Sequence, residues 1–333
     1  MKLFLLGLAL PGMALAFSPS SQQNCTPLDL RNETLGEVRN QKKVSWCYSF
    51  AAADMLGHTF NESEKVSAAD IAIGYNETRV GLFMRWLDLN ILNRKNPELR
   101  SLAHQTGFNK LALIHAMKEG WCPERVFSSE AWTKKTRTPQ GWTEAQIPLA
   151  QAMLEISSLH DIRGSLTPQN IPYYYSFKNV DAPAFVQLLQ TKKVASIYSA
   201  LRKAVCRDDR RPFDYRWKVK MEIRNAKIFT RISEQLETGR LVGLDYDSRI
   251  YPNSSHRGFK ISELHTSSLV GRRWNQASNS CEFLVRNSYG DDCSVRYDAK
   301  YDCEAGNIWL SESQIYGSMT SIVYMLSGDA SQN

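Results

Sequence analysis

The sequence predicts an α+β protein, with helices in its first part and strands in its last third. From Cys47 to Leu56 the chain contains three alanines, a methionine and a leucine, which favour a helix. Further on, 241–246, 264–270 and 281–287 are short apolar runs that are typical of strands. Helices and strands that are segregated along the chain predict the α+β class.

The length and composition are those of a soluble globular protein. The 333 residues are 43% hydrophobic and 23% charged, which permits one large domain or two lobes. No fixed-period repeat is present, which argues against a solenoid or a propeller.

The first sixteen residues have the layout of a secretory signal peptide. Lys2 is followed by an apolar run, 3–10, and by the small-x-small site Ala14-Leu15-Ala16. The sequence therefore predicts a signal peptide over 1–16 and a secreted mature chain from Phe17. No later stretch is long and apolar enough for a stable membrane span. Only a short segment precedes Gln41, so no long propeptide is expected.

The seven cysteines are informative for an exported chain, because an odd number leaves at least one without an internal partner. With Cys47 set aside, six remain for three disulfides, and their connectivity stays open. Cys293 and Cys303 are close enough in sequence to staple a local hairpin. No Cys-x-x-Cys or Cys-x-x-His spacing occurs, so a structural zinc site has little support. No metal and no organic cofactor is expected.

Cys47 stands where a reactive cysteine is favoured. Ser45 is a candidate helix cap, which places Cys47 in the first turn, where the helix dipole favours a thiolate. Gln41, six residues earlier, carries an amide that can donate to a developing oxyanion. The alternative interpretation is that Cys47 is a small buried hydrophobic residue on an alanine-rich helix.

A thiolate needs a general base, and two of the six histidines are candidates. His265 lies in a β-prone run, and Asn287 follows at the end of the next run, in a turn that continues to Tyr289 and Gly290. His256, in a Ser-His-Arg loop, is the competing candidate. The order of Gln41, Cys47, His265 and Asn287 along the chain is the strongest indication for His265.

These segments resemble the papain family of cysteine peptidases. The matching blocks are Gln41 with Cys47 six positions on, His265 with Val270-Gly271, Asn287-Ser288-Tyr289-Gly290, and Gly306-Asn307-Ile308-Trp309-Leu310. The chain departs from the family at Val44, where the family carries a cysteine, and at Tyr289, where it carries tryptophan. It also has Ser45-Trp46 before the cysteine, where the family has a small pair.

The resemblance implies a papain-like two-lobe fold, with the active site in the cleft between a helical and a β-rich lobe. It implies that Cys47, His265 and Asn287 are catalytic and that Gln41 helps to bind the oxyanion. The implied substrate-binding residues are Gly107, Phe108, Leu244 and Tyr289.

The middle of the chain has no counterpart in that family. Cys47 and His265 lie farther apart than the about 130–150 residues typical of it. We expect a papain-like domain over 17–333, with a helical lobe over about 41–130, an insertion over about 130–230 and a β-rich lobe over about 240–325. Within the insertion, 144–157 and 182–205 are predicted helices.

The segment 202–227 carries most of the excess positive charge. It has ten Lys or Arg against four Asp or Glu, while the whole chain carries +7. One interpretation is a docking surface for an anionic partner. The other is a solvated, partly salt-bridged face. No nucleic-acid-binding motif is present, and no nucleic-acid binding is expected.

The expected function is a secreted cysteine endopeptidase that acts on protein or peptide substrates through an acyl-enzyme. Two alternatives remain at this point. One is a catalytically inactive binding protein with the same fold, and the other is a cell-wall amidase that also uses Cys and His.

Overall fold

The computed structural model describes residues 19–87, 107–171, 174–175, 177–213, 216–251, 264–297 and 301–328. The predicted signal peptide and the competing histidine, His256, lie outside the described residues.

Eight α-helices lie before residue 240 in the part of the chain that the structure describes. Their bounds are α1 (Cys47–Thr59), α2 (Ala68–Glu77), α3 (Arg79–Leu87), α4 (Asn109–Glu119), α5 (Leu149–Asp161), α6 (Ala182–Thr191), α7 (Val194–Val205) and α8 (Ile228–Glu237). Two short helices follow, α9 (Cys293–Arg296) and α10 (Glu312–Ser318). Helix α1 is buried over nearly its whole length, because its alanines allow neighbouring elements to approach closely.

The strands form one large antiparallel sheet and one small sheet. The large sheet has the order β5-β11-β6-β7-β8-β10-β9, with β1 paired to β7. Its strands are β1 (Leu28–Asp29), β5 (Lys218–Ile223), β6 (Val242–Asp247), β7 (Leu264–Asn275), β8 (Ser280–Arg286), β9 (Cys303–Glu304), β10 (Asn307–Ser311) and β11 (Met319–Leu326). The small sheet contains β2 (Ala131–Thr138), β3 (Gly141–Pro148) and β4 (Tyr174–Tyr175).

The α+β class predicted from the sequence is confirmed, with a helical lobe and a β-rich lobe. Two hydrophobic cores correspond to these lobes among the described residues, one built on α1, α2 and α4 and one built on the large sheet. The segment 130–213 packs into the first core. Strand β5, near the end of the expected insertion, pairs with β11 of the large sheet.

The expected helix over 144–157 is wrong in its first part. Residues up to Pro148 form β3, which pairs in register with β2, and α5 begins only at Leu149. Pairing with β2 outweighs the local preference of residues 144–147 for a helix. Pro148 favours a helix that starts directly after it. The expected helix over 182–205 is two helices, because Lys192 is extended at the end of α6.

The strand that carries His265 is longer than the predicted run 264–270 and continues to Asn275. A side chain at Gly271 would place its Cβ 2.7 Å from the backbone oxygen of Leu28. The glycine therefore permits β1 to lie against β7, with a bulge between Leu269 and Gly271.

Six of the seven cysteines form three disulfides, and all seven lie in the described ranges. The pairs are Cys25–Cys281, Cys122–Cys206 and Cys293–Cys303. The local pairing of Cys293 with Cys303 is confirmed. Cys47 is the free cysteine.

Three disulfides fit an extracellular, oxidising location. No helix among the described residues is long and apolar enough to cross a membrane.

The basic segment uses several of its charges within the protein. Asp70 of helix α2 is 2% exposed and binds two arginines of this segment. These ion pairs connect the segment 202–227 to helix α2. The ion pairs are Arg202–Asp70, Lys203–Glu77, Arg210–Asp70 and Arg211–Glu64. These contacts favour the interpretation of a partly salt-bridged face over a dedicated docking surface.

Candidate active site

Cys47 is the first residue of α1, as the sequence predicts, but Ser45 does not cap this helix. The cap position belongs to Trp46, which is fully buried and makes no side-chain cap hydrogen bond. Burial of the Trp46 ring decides the start of the helix, a tertiary effect that the local sequence does not reveal. The first-turn amide groups next to the sulfur are therefore not occupied by a cap side chain.

Burial, together with the smaller effect of the Asp245 charge, raises the pKa of the Cys47 thiol to about 11. Hydrogen bonds from the backbone of Thr266, Tyr48 and Cys47 itself act in the opposite direction. The expectation that the helix start favours the thiolate thus meets a larger opposing effect of burial. A thiolate at neutral pH requires a base that takes up the proton within the same cavity.

His265 is held in a defined tautomer by Asn287. Its Nε2 lies 2.7 Å from Asn287 Oδ1. The Ser288 backbone N–H donates to the same Oδ1 over 2.7 Å, which identifies this atom as the amide oxygen. The neutral imidazole therefore donates from Nε2 and carries its lone pair on Nδ1, 3.3 Å from the Tyr289 hydroxyl.

Aromatic rings enclose the imidazole, which is 5% exposed. The ring of Tyr289 stacks on it with centroids 4.8 Å apart, and the ring of Tyr246 meets it edge-on at 5.6 Å. The Asn287 amide donates to the hydroxyls of Tyr297 over 2.9 Å and Tyr251 over 3.3 Å. Tyr289 was predicted from the sequence, whereas the other three tyrosines were not, because nothing in their own segments indicates contact with His265 or Asn287.

Gln41 is held by the segment that carries Asn287. Its Nε2 donates to the carbonyl of Val44 over 2.8 Å, and its Oε1 accepts from the Ser288 hydroxyl over 2.5 Å. The Gln41 backbone N–H also donates to the Ser288 carbonyl over 2.8 Å. One of the two Nε2 hydrogens is therefore left for a further acceptor.

These residues border one cavity of about 570 Å³ between the two lobes. Gln41, Cys47, His265 and Tyr289 all line it, so residues far apart in the sequence meet in one place. The rest of the lining comes from loops, from the start of α4 and from strands of the large sheet: Ser45, Gly107, Phe108, Asn109, Lys110, Met221, Ile223, Asp245, Ser248, Leu264, Thr266, Thr320 and Ser321.

Three of the four residues implied for substrate binding, Gly107, Phe108 and Tyr289, line this cavity, and Leu244 does not. Phe108 is 48% exposed at its wall. At Gly107 a Cβ would lie 2.6 to 2.8 Å from the ring of Tyr48, so a side chain there would push that ring away. Leu244, in contrast, packs in the core of the β-rich lobe at 1% exposure, and its neighbour Asp245 faces the cavity instead.

No family model and no curated protein sequence matches the chain. The solved structures that are similar to it include three papain-like cysteine peptidases. They are a mite allergen from a study of Blo t 1 and Der p 1 (13% identity, 94% of this chain and 73% of that chain, TM-score 0.45), recombinant stem bromelain precursor (11%, 94% and 76%, 0.44) and PepW from Lactobacillus rhamnosis (12%, 93% and 82%, 0.47). The chemistry proposed below rests on the residues of this chain.

Proposed function

We propose that the chain is a secreted cysteine peptidase that hydrolyses peptide bonds, with Cys47 as nucleophile and His265 as general base. One observation carries the proposal: the free cysteine shares a cavity with a histidine whose Nε2 is occupied by Asn287. The basic nitrogen is then Nδ1, which the Tyr289 hydroxyl contacts over 3.3 Å and which would take the thiol proton. The secreted location is supported by the three disulfides.

The reaction follows from these positions. The Cys47 proton moves to His265 Nδ1, and the thiolate attacks the carbonyl carbon of the substrate. The Cys47 backbone N–H and the second Nε2 hydrogen of Gln41 stabilise the oxyanion. His265 then protonates the leaving amine, and the acyl group stays on Cys47. His265 next activates water, which releases the acid and restores the thiol.

The raised pKa of Cys47 makes His265 essential for forming the thiolate. A thiol with a pKa of about 11 gives little thiolate at neutral pH by itself. The imidazolium formed by proton transfer stabilises the thiolate in a partly buried site, where charges interact more strongly than in water. Asn287 keeps the imidazolium oriented through its carboxamide oxygen.

The proposal predicts thiol-dependent cleavage of casein together with unusual reactivity of Cys47. At mildly acidic pH, iodoacetamide should alkylate Cys47 faster than a free peptide thiol, because the cysteine and imidazole form an ion pair. Mass spectrometry identifies the alkylated residue, and casein cleavage is lost in proportion to alkylation. Ordinary thiol reactivity without casein cleavage would support the inactive binding protein. Cleavage of purified peptidoglycan without cleavage of casein would support the amidase.

Replacement of Asn287 by alanine is expected to reduce kcat/KM by about tenfold to a hundredfold, because the imidazole loses its fixed orientation. Peptide hydrolysis measured over a range of substrate concentrations, at several pH values, gives kcat and KM separately. Tyr297→Phe is the matched control, since it removes one hydroxyl from Asn287 and leaves the contact between Asn287 Oδ1 and His265 intact. Equal losses in both variants would contradict the orienting role.

A further inference from the structure

A row of side chains crosses four neighbouring strands on the face that borders the cavity. Across β5, β11, β6 and β7 the strand register pairs Ile223 with Ser321, Ser321 with Asp245, and Asp245 with Thr266. Residues paired directly across antiparallel strands point to the same face of the sheet. All four line the cavity that contains Cys47.

Asp245 is the acidic member of this row. Its Oδ1 accepts from the hydroxyl of Thr266 over 2.7 Å, and its Oδ2 accepts from the hydroxyl of Ser321 over 2.9 Å. No Lys or Arg of the described residues forms an ion pair with it, and Lys110 lines the same cavity without pairing to it. Burial raises the pKa of this carboxyl, while the two hydroxyls lower it. The carboxylate is thus oriented by neutral donors and retains acceptor capacity toward the cavity.

Asp245 lies next to the reactive sulfur. The residue paired with it, Thr266, donates its backbone N–H to Cys47, and the Asp245 charge contributes to the raised pKa of Cys47. The other titratable groups that line the cavity are Cys47, Lys110, His265 and Tyr289. A cation bound at Asp245 would cancel its effect on Cys47 and favour the thiolate.

The wall beside Asp245 is apolar. Met221 is 44% exposed, Ile223 is 71% exposed and Leu264 is 36% exposed, and all three border the cavity. An aliphatic wall that leads to a carboxylate matches the shape of lysine and arginine, which have an apolar stem and a charged end.

We propose that Asp245 is a specificity-determining residue that binds a lysine or arginine side chain of the substrate beside Cys47. This inference rests on the proposed peptidase function for its substrate class. The geometry of the pocket itself does not depend on hydrolysis. A bound basic side chain stacks its stem on Met221 and Ile223, and its charged end donates to the Asp245 carboxylate.

The first experiment compares peptides that differ in one side chain, arginine or its neutral analogue citrulline, at each of the four positions around the scissile bond. At one position, arginine should give a kcat/KM about tenfold to a hundredfold higher, as for a hydrogen bond to a charged group. In Asp245→Asn the two peptides should become nearly equal. The proposal would be overturned if the unmodified protein cleaved the arginine and citrulline peptides at equal rates at every position. An unchanged preference for arginine in Asp245→Asn would also overturn it.

The matched control is Asp302→Asn, which removes the same charge outside the cavity. Arg273, the partner of Asp302, keeps its second partner Glu282. This variant should keep the arginine preference. Asp245→Ser is a second variant, should the asparagine protein fold poorly, and it should also lose the preference.

The second experiment needs no hydrolysis. Cys47 is alkylated with cationic 2-bromoethylamine, neutral iodoacetamide and anionic iodoacetate, and each rate is divided by that of a free peptide thiol. We expect the ratio to be highest for the cationic 2-bromoethylamine. In Asp245→Asn, where the negative charge is absent, the ratio for this reagent should fall at least about threefold. Unchanged ratios in the variant would refute the pocket. A shifted ratio without cleavage of any peptide would refute the peptidase function and leave the cation site standing.

Discussion

Replacement of Cys47 by alanine is expected to reduce kcat for peptide hydrolysis by at least about a thousandfold, because no acyl-enzyme can form. The other six cysteines are paired in disulfides, so no second thiol can take over. Hydrolysis of casein and of a short arginine peptide measures the loss, and thermal unfolding shows whether the fold is retained. Activity equal to that of the unmodified protein would remove Cys47 from the mechanism.

Cys47→Ser is the matched variant, since it keeps the side-chain size and a nucleophilic atom. The alcohol is far harder to ionise than the thiol, so this variant should be nearly as inactive as Cys47→Ala. Both variants should still bind substrate peptides, which separates a loss of chemistry from a loss of binding.

The second large effect concerns stability. Asp54 lies on α1, two turns after Cys47, and binds Arg39 over 2.7 Å and Arg286 over 3.0 Å. Both guanidinium groups are buried, and Arg286 directly precedes Asn287. Asp54 therefore connects the helix that carries the proposed nucleophile with the strand that leads to its proposed partner residue.

Asp54→Ala is expected to reduce the free energy of unfolding by about 3–5 kcal/mol, because it leaves two buried cations without their shared carboxylate. Denaturant unfolding measures the change. Asp29→Ala is the control, since it breaks the exposed Asp29–Arg31 pair, for which about 0–1 kcal/mol is expected. Similar losses in the two variants would show that the buried ion pairs contribute no more than a surface pair.

The Asp54 carboxylate should also make the free energy of unfolding depend on pH. Burial alone would raise the pKa of Asp54, but Arg286 and Arg39 outweigh it and lower the pKa below the ordinary value of 3.8. Its stabilising contribution is therefore complete above that value and is lost as the pH falls through the lower pKa of the folded state. In Asp54→Asn, acid unfolding below pH 3.8 should become less steep.

The features that depend on neighbouring residues in the chain were predictable. Ser67 caps α2 by accepting the Asp70 N–H over 3.0 Å, a role for which serine is among the preferred residues. The strand that carries His265 and the helix that begins at Cys47 are also where local composition places them. The lobe and insertion boundaries, and the catalytic roles of the site residues, stay predictions.

The features that depend on distant partners were not predictable. Glu144 was expected in a helix and lies in β3, because pairing with β2 outweighs its local preference. Trp46, not Ser45, precedes α1, because its ring is buried in the core. The tyrosines that bind the Asn287 amide come from other segments of the chain.

The sequence by itself indicated the residues that we propose to carry the chemistry: a cysteine at a helix start, a glutamine before it, and a histidine and an asparagine far after it. Only the tertiary structure decided which side of β6 borders the cavity. The sequence indicated Leu244, but the register with Thr266 and Ser321 turns Leu244 into the core and Asp245 toward Cys47. Adjacent strand residues point to opposite faces, so a difference of one position replaces an apolar wall with a carboxylate.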